Sequence, residues 1–155
     1  MAQKIQQAPV LFKNRKAEFE YFLSTKFTAG MVLVGTEIKA IRTGKVNLTD
    51  AYCLFIGEEF WVRGLHISEY KAGSYNNHEP KRDRKLLLTK RELRKIAAKL
   101  KEKGTTVVPT QLFINENGYA KLEIAIARGK KMYDKRETLK EKEARRSLAY
   151  REEKA

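Results

Sequence analysis

The sequence predicts a mainly β fold: a small antiparallel barrel of about six short strands, with flanking helices and a C-terminal tail. Three observations predict it. Apolar runs are short and are separated by glycine, proline and asparagine turns. One segment carries a strong 3.6-residue apolar period between helix start and stop signals. Near Gly129 the apolar alternation stops, and a charged segment with little to bury begins.

Taken in order, Phe19, Tyr21 and Leu23 alternate with polar residues, the pattern of a half-buried strand. Ala29-Gly30 offers a turn, and residues 31–34 form a short apolar run that predicts a buried segment ended by Gly35. Over 36–42, Ile38 and Ile41 stand three apart, Thr36 is placed to cap and Gly44 to stop, which predicts a short helix. Runs 51–56 and 60–67 flank Gly57-Glu58-Glu59 and predict a hairpin. Residues 70–84 read as irregular, with turn formers at Gly73, Ser74, Asn76, Asn77 and Pro80 and a basic cluster at the end.

The clearest helix follows. Thr89 and Glu92 form a capping box, Leu93, Ile96, Ala97 and Leu100 make one apolar stripe, and Gly104 supplies the stop. Runs 107–114 and 119–127 predict a last hairpin around Asn115-Glu116-Asn117-Gly118, with Leu122, Ile124 and Ile126 filling one face. Pro109 cannot donate to a ladder, so it requires a bulge or an edge in its strand. Short strands in this number, with one good helix, fit a partly open barrel of the oligonucleotide-binding kind, an α+β sandwich being the alternative.

Charge narrows the class of partner. The chain has 33 Lys plus Arg against 19 Asp plus Glu, a formal charge of +14, which suits a polyanion. Its 155 residues, 42% hydrophobic, suffice for one core. Residues 130–155 hold ten basic and six acidic side chains, a net +4, leaving +10 on residues 1–129. Two units are therefore expected, a barrel domain over 1–129 and a basic tail over 130–155. No apolar run approaches the ~18 residues of a membrane span, and residues 1–10 lack a signal-peptide pattern. The sole cysteine, Cys53, excludes an intramolecular disulfide and a CxxC metal motif and suits a core position in a cytoplasmic protein.

Catalytic patterns are missing: there is no GxGxxG, Walker loop, HExxH or GxSxG. His66 and His78 lack a second ligand at metal spacing, and Asp50, Glu37 and Glu58 are too ordinary in so charged a chain to argue for a magnesium centre. The expectation is a non-enzyme without metal or cofactor. Binding signals are stronger. Asn14-Arg15-Lys16, then Lys39, Arg42 and Lys45, then Lys81-Arg82-Asp83-Arg84-Lys85 gather cations, with Tyr21, Tyr52, Tyr70 and Tyr75 nearby. Arg128, Lys130 and Lys131 lead into the tail, where Tyr133 sits among further cations. Cations interleaved with aromatic and amide side chains favour folded RNA with exposed loop bases. In the tail, Glu137 with Lys140 and Glu141 with Arg145 are helix-compatible pairs. With Leu139 and Leu148 as its main aliphatic residues, the tail cannot offset an ordering cost of ~1–2 kcal/mol per residue. It is expected to be disordered alone and to fold on a partner.

In order along the chain, Asn14-Arg15-Lys16-Ala17, Gly35-Thr36-Glu37-Ile38-Lys39, Arg42-Thr43-Gly44-Lys45, Asp50-Ala51-Tyr52 and His66-Ile67 resemble the blocks of the small protein B (SsrA-binding protein) family. So do Arg84-Lys85-Leu86-Leu87-Leu88, Val108-Pro109, Ala127-Arg128-Gly129-Lys130-Lys131 and Asp134-Lys135-Arg136. The resemblance runs from about residue 12 to about 146 and rests on the ordered combination of blocks. It implies a monomeric RNA-binding protein that grips the tRNA-like domain of transfer-messenger RNA and delivers it to stalled ribosomes for trans-translation, with no membrane partner. A structural ribosomal protein with the same type of barrel is the alternative.

By position, the resemblance places Asn14, Glu37, Lys39, Arg42, Tyr52, Lys85 and Leu87 near the RNA-binding face. Arg15, Lys16, Tyr21, Arg84, Arg128, Lys130 and Lys131 join them as candidates from the basic and aromatic clusters. Tyr133, Asp134, Lys135, Arg136, Lys140, Arg145 and Arg146 are then expected at the small-subunit decoding centre and in the mRNA channel. Two departures stand out: Thr28 occupies a position where many members carry Glu, and Tyr133 one where some carry His.

Overall fold

A computed structural model describes residues 11–70 and 77–130. The strands are β1 (Leu11–Lys13), β2 (Tyr21–Met31), β3 (Val46–Asn47), β4 (Tyr52–Ile56), β5 (Glu59–Arg63), β6 (His66–Ile67), β7 (Arg84–Leu87), β8 (Thr105–Ile114) and β9 (Ala120–Gly129). The helices are α1 (Arg15–Glu20), α2 (Gly35–Arg42) and α3 (Lys90–Leu100). The main sheet runs β1-β8-β4-β5-β7-β2-β9, and β8 pairs again with β9, so six of its strands close on themselves. Every pairing is antiparallel. The mainly β barrel expected from the sequence is the fold observed, with β3 and β6 as a small separate ladder.

Closure depends on two long, bent strands. β8 gives one edge to β9 along residues 105–114 and shares the other between β1 and β4. The β4 contact is a single register pair, Cys53 with Val107, so the barrel is thinnest there. The ladder shifts register at Pro109/Gln111 in β8 and between Leu23 and Lys26 in β2. Such bulges bend a strand and raise its twist, which lets a small sheet curl shut. Inward residues such as Ile41, Phe60, Val62, Leu112, Leu122 and Ile124 are fully buried, and α3 adds Ile96. Cys53 is buried as expected; burial pushes its thiol far above its ordinary range, making it an inert core side chain.

The capping box of α3 forms as expected: the Thr89 side chain accepts from the Glu92 N–H at 3.2 Å, and Glu92 accepts from the Thr89 N–H at 3.1 Å. The hairpins at 57–58 and 115–118 also stand where the sequence places them. Several expectations are corrected. Phe19 lies in α1 and not in a strand, because Asn14 starts a helix there: its side-chain oxygen accepts from the Ala17 N–H at 3.2 Å. Six residues are too few to display a helical period. Ala29-Gly30 is no turn. β2 runs through it, held extended by β7 on one edge and β9 on the other. Val32 and Val34, expected in a buried run, are 45% and 46% exposed in the link to α2.

α2 starts differently from expectation as well. The Glu37 carboxylate caps it by accepting from the Val34 N–H at 3.0 Å, while the Thr36 hydroxyl bonds His78 Nδ1 at 2.9 Å. The run 60–67 is split at Gly64, and a four-residue strand, β7, emerges from the basic cluster after the irregular stretch.

Gly64 gives the sharpest test of the chain path. Its φ is +78°, and an added Cβ would stand 2.8 Å from the Asp50 carbonyl oxygen. Gly64→Ala is expected to destabilise by about 2 kcal/mol or more. Gly35→Ala, with open space around it at the first turn of α2, is expected to be neutral or to stabilise by up to about 1 kcal/mol. Urea denaturation checks both: the midpoint should fall for the first and not for the second, at unchanged slope.

Candidate nucleic-acid interface

The interface is organised around charges that never reach its surface. Glu37 on α2 and Arg84 at the start of β7 are both 0% exposed and form an ion pair through Arg84 Nε and Glu37 Oε2. Arg84 also donates to the carbonyls of Leu65 at 2.7 Å and Pro80 at 3.0 Å. Arg82 donates to the other Glu37 oxygen at 2.5 Å. Burial alone would raise the Glu37 pKa. The hydrogen bonds from Arg82, the Val34 N–H and Arg84 outweigh it and hold the carboxyl below its ordinary range. Burial pulls the Arg84 pKa downward, opposed chiefly by Glu37, and the guanidinium stays charged.

Because side chains alternate along a strand, Arg84 and Leu86 point inward while Lys85 and Leu87 point outward. On the same outer face Lys85 stands opposite Trp61 of β5, which stands opposite Leu54 of β4. The next row places Tyr52 opposite Arg63, and Arg63 binds Asp83 through Nε at 3.2 Å and Nη2 at 3.0 Å. Leu87 faces Gly30 of β2, where a Cβ would touch the Leu87 Cβ at 3.4 Å; Lys121 Nζ lies beside the same point. The glycine leaves Leu87 53% exposed between two cationic side chains.

A second group of candidates lies at one end of the barrel. Arg15 and Lys16 are exposed on α1, and Lys16 pairs with Asp50 at 3.3 Å. That hydrogen bond, with the charge of Glu20 behind it, raises the Lys16 pKa. Tyr21 and Phe22 face Gly129 and Arg128 in the ladder, and the Lys130 ammonium sits 5.2 Å from the centre of the Phe22 ring. A cleft of about 360 Å³ joins this end to the outer face, with Lys16, Tyr21 and Tyr52 along its wall. A third group, Lys39 and Arg42, is exposed on α2; Lys39 lies 5.7 Å from the Tyr70 ring centre, and Arg42 reaches towards Gly118.

Three candidates do not present themselves to a ligand. Asn14 is 4% exposed, and its amide donates to the carbonyls of Pro109 at 2.9 Å and Leu48 at 3.2 Å, so every polar group of its side chain is used inside the fold. Glu37 and Arg84 are spent on each other. These three position neighbouring residues rather than offering surface. Lys131, Tyr133, Asp134, Lys135, Arg136, Lys140, Arg145 and Arg146 lie outside the described residues, as does Tyr75. Trp61 shares this outer face with no signal for it in the sequence: it stands in an apolar run, and only strand register shows that it faces away from the core.

Among the described residues no group of three or more His, Cys, Asp or Glu could hold a metal ion, and no helix is long and apolar enough to cross a membrane.

Removing the buried carboxylate should have a signature in pH. Its folded pKa lies below the ordinary 4.5, so Glu37 contributes stability above that value and loses it as pH falls through the folded pKa. Glu37→Gln leaves Arg84 uncompensated and is expected to cost about 3–5 kcal/mol at pH 7. The gap to wild type should narrow as pH falls below 4.5, where the unfolded chain takes up a proton that the native carboxylate still resists, and should stop narrowing below the folded pKa. Denaturant midpoints measured from pH 7 to pH 3 check this; a constant gap would count against it.

Comparison with known proteins gives the family. The family model described as SmpB protein matches residues 11–154. An SsrA-binding protein of Bacteroides thetaiotaomicron is 56% identical over 145 residues, 94% of this chain and 97% of the relative. One of Phocaeicola vulgatus is 56% identical over 140 residues, 90% of this chain and 93% of the relative. A solved structure described as "tmRNA-SmpB: a journey to the center of the bacterial ribosome" superposes with a TM-score of 0.68 at 43% identity, covering 79% of this chain and 86% of that one. An ordered match across the barrel and the cationic segment leaves one conclusion: the chain belongs to the SmpB, or SsrA-binding protein, family.

Proposed function

We propose that the protein binds the tRNA-like domain of transfer-messenger RNA and delivers it to stalled ribosomes for trans-translation, acting by binding and not by catalysis. The observation that carries this reading is the extent of the family match. It takes in residues 11–154, the barrel together with the charged segment after it. The geometry supports the binding half. Lys85, Leu87 and Tyr52 share an outer sheet face, Lys39 and Arg42 are exposed on α2, and Arg15, Lys16, Tyr21, Arg128 and Lys130 gather at one end. Cations of this kind neutralise phosphates, while exposed rings and aliphatic groups meet unpaired bases.

In this reading residues 1–129 are the RNA-binding domain and 130–155 address the ribosome. Tyr133, Asp134, Lys135, Arg136, Lys140, Arg145 and Arg146 meet the decoding centre and the mRNA channel. Asn14, Glu37 and Arg84 act from beneath the surface as positioning residues.

Binding and delivery separate experimentally. Arg42→Ala and Lys85→Ala are each expected to weaken binding of a fluorescent tRNA-like domain about tenfold. The slope of log affinity against log salt should fall by about one for each phosphate that is no longer neutralised. Joint replacement of Lys135 and Arg136 by Ala should leave that affinity unchanged and abolish transfer of the nascent chain in a reconstituted stalled-ribosome assay. Unchanged affinity and salt slope in the Arg42/Lys85 double variant would remove the assigned face. Normal transfer with the Lys135/Arg136 variant would remove the tail from the mechanism.

A further inference from the structure

The single tryptophan of the chain has an unusual position for so large an apolar side chain. Its strand neighbours Phe60 and Val62 are 1% and 0% exposed and face the core, so Trp61 projects from the opposite side of the sheet. It is only partly buried there, in a row between Leu54 and Lys85. Its indole Nε1 is shut off from solvent and has no hydrogen-bond acceptor; among the described residues only Arg82 Nε shares that condition. Buried indole N–H groups ordinarily find a partner, so one without a partner on an outer sheet face needs a reason.

The surroundings supply one. Lys85 is paired with Glu59 at 3.1 Å, but both side chains are substantially exposed, so the pair is weak and can exchange partners. Leu87, Tyr52 and Ile56 keep apolar surface open to solvent on the same face. Lys121 adds positive charge at its margin, while the charge of Arg63 is matched by Asp83. An apolar floor with the aromatic rings of Trp61 and Tyr52, bordered by Lys85 and Lys121, is the chemistry that holds an unpaired base and its phosphate.

We propose that Trp61 is a base-contacting residue of the RNA-binding face, its partly exposed ring stacking against an unpaired loop base while a side-chain shift on binding opens the enclosed Nε1–H to an acceptor of the same RNA. This rests on the RNA-binding function proposed above and adds a residue and a contact to it. On binding, Lys85 exchanges Glu59 for a phosphate oxygen, and the row Leu54–Trp61–Lys85 becomes the floor under the base.

As the only tryptophan, Trp61 reports on its own contact. The full-length chain is titrated with the tRNA-like domain of transfer-messenger RNA and, separately, with a fully paired RNA duplex of equal length, following tryptophan emission and affinity. The loop-bearing RNA is expected to change the emission at saturation and the duplex not. Trp61→Phe, which keeps a ring and loses the N–H, should weaken binding several-fold, and Trp61→Leu by about tenfold or more. Neither should change the salt slope, because no charge is removed. If Trp61→Leu fails to fold, Trp61→Phe alone decides. Wild-type binding with unaltered emission and equal affinity for both variants would overturn this inference and leave the RNA-binding reading standing. Equal emission changes with the duplex would overturn the unpaired-base contact. Failure of the wild-type chain to bind the tRNA-like domain would overturn both.

Discussion

A carboxylate with no access to water sets the register of the strand that carries the proposed binding surface. β7 has only four residues, too few for its ladder alone to specify which side chains face out. A slip of one residue would bury Lys85 and Leu87 and expose Arg84 and Leu86. The Glu37–Arg84 pair forbids that slip, because Arg84 must find Glu37 and two carbonyls inside the barrel. Such a pair adds little net stability, since desolvating two charges costs about what their attraction returns. Its value lies in registry. By fixing Arg84 inward it fixes Lys85 and Leu87 outward, and it fastens α2 to the same edge.

The rest of the frame follows from closure. β8 and β9 pair along nearly their whole length, and β8 divides its other edge between β1 and β4. Asn14 ties the start of α1 to the Pro109 carbonyl next to the β8 bulge and to Leu48 in the link between β3 and β4. One amide therefore holds three segments distant in sequence. The end of the barrel bearing Lys16, Tyr21 and Arg128 depends on that tie, just as the outer face depends on Glu37.

Features whose cause is local could be read from the sequence. The α3 capping box, the turn at 115–118 and the bulge at Pro109 each arise from chemistry within a few residues, and each stands where expected. Features imposed by tertiary contact could not. Gly30 looks like a turn residue until β7 and β9 hold it in a strand. α1 is too short to show a period, and its cap is set by an asparagine occupied elsewhere. The candidate site divides in the same way. Sequence locates clusters of cations, but charge does not reveal accessibility: Arg84 and Lys85 are neighbours in one basic run, and one is fully buried while the other faces solvent. Trp61 carries no signal at all until strand register gives it a direction.

In the reading proposed here, the internally anchored strand β7 is the centre of the RNA-binding face. Backbone amide chemical shifts of the full-length chain, recorded with and without the tRNA-like domain of transfer-messenger RNA, test this most directly. The largest changes are expected on Lys85, Leu87 and the facing Gly30, with Ala98 and Lys99 on the solvent side of α3 little affected. Changes confined to α3 and the 115–118 turn, with the amides of Gly30, Lys85 and Leu87 unmoved, would contradict it.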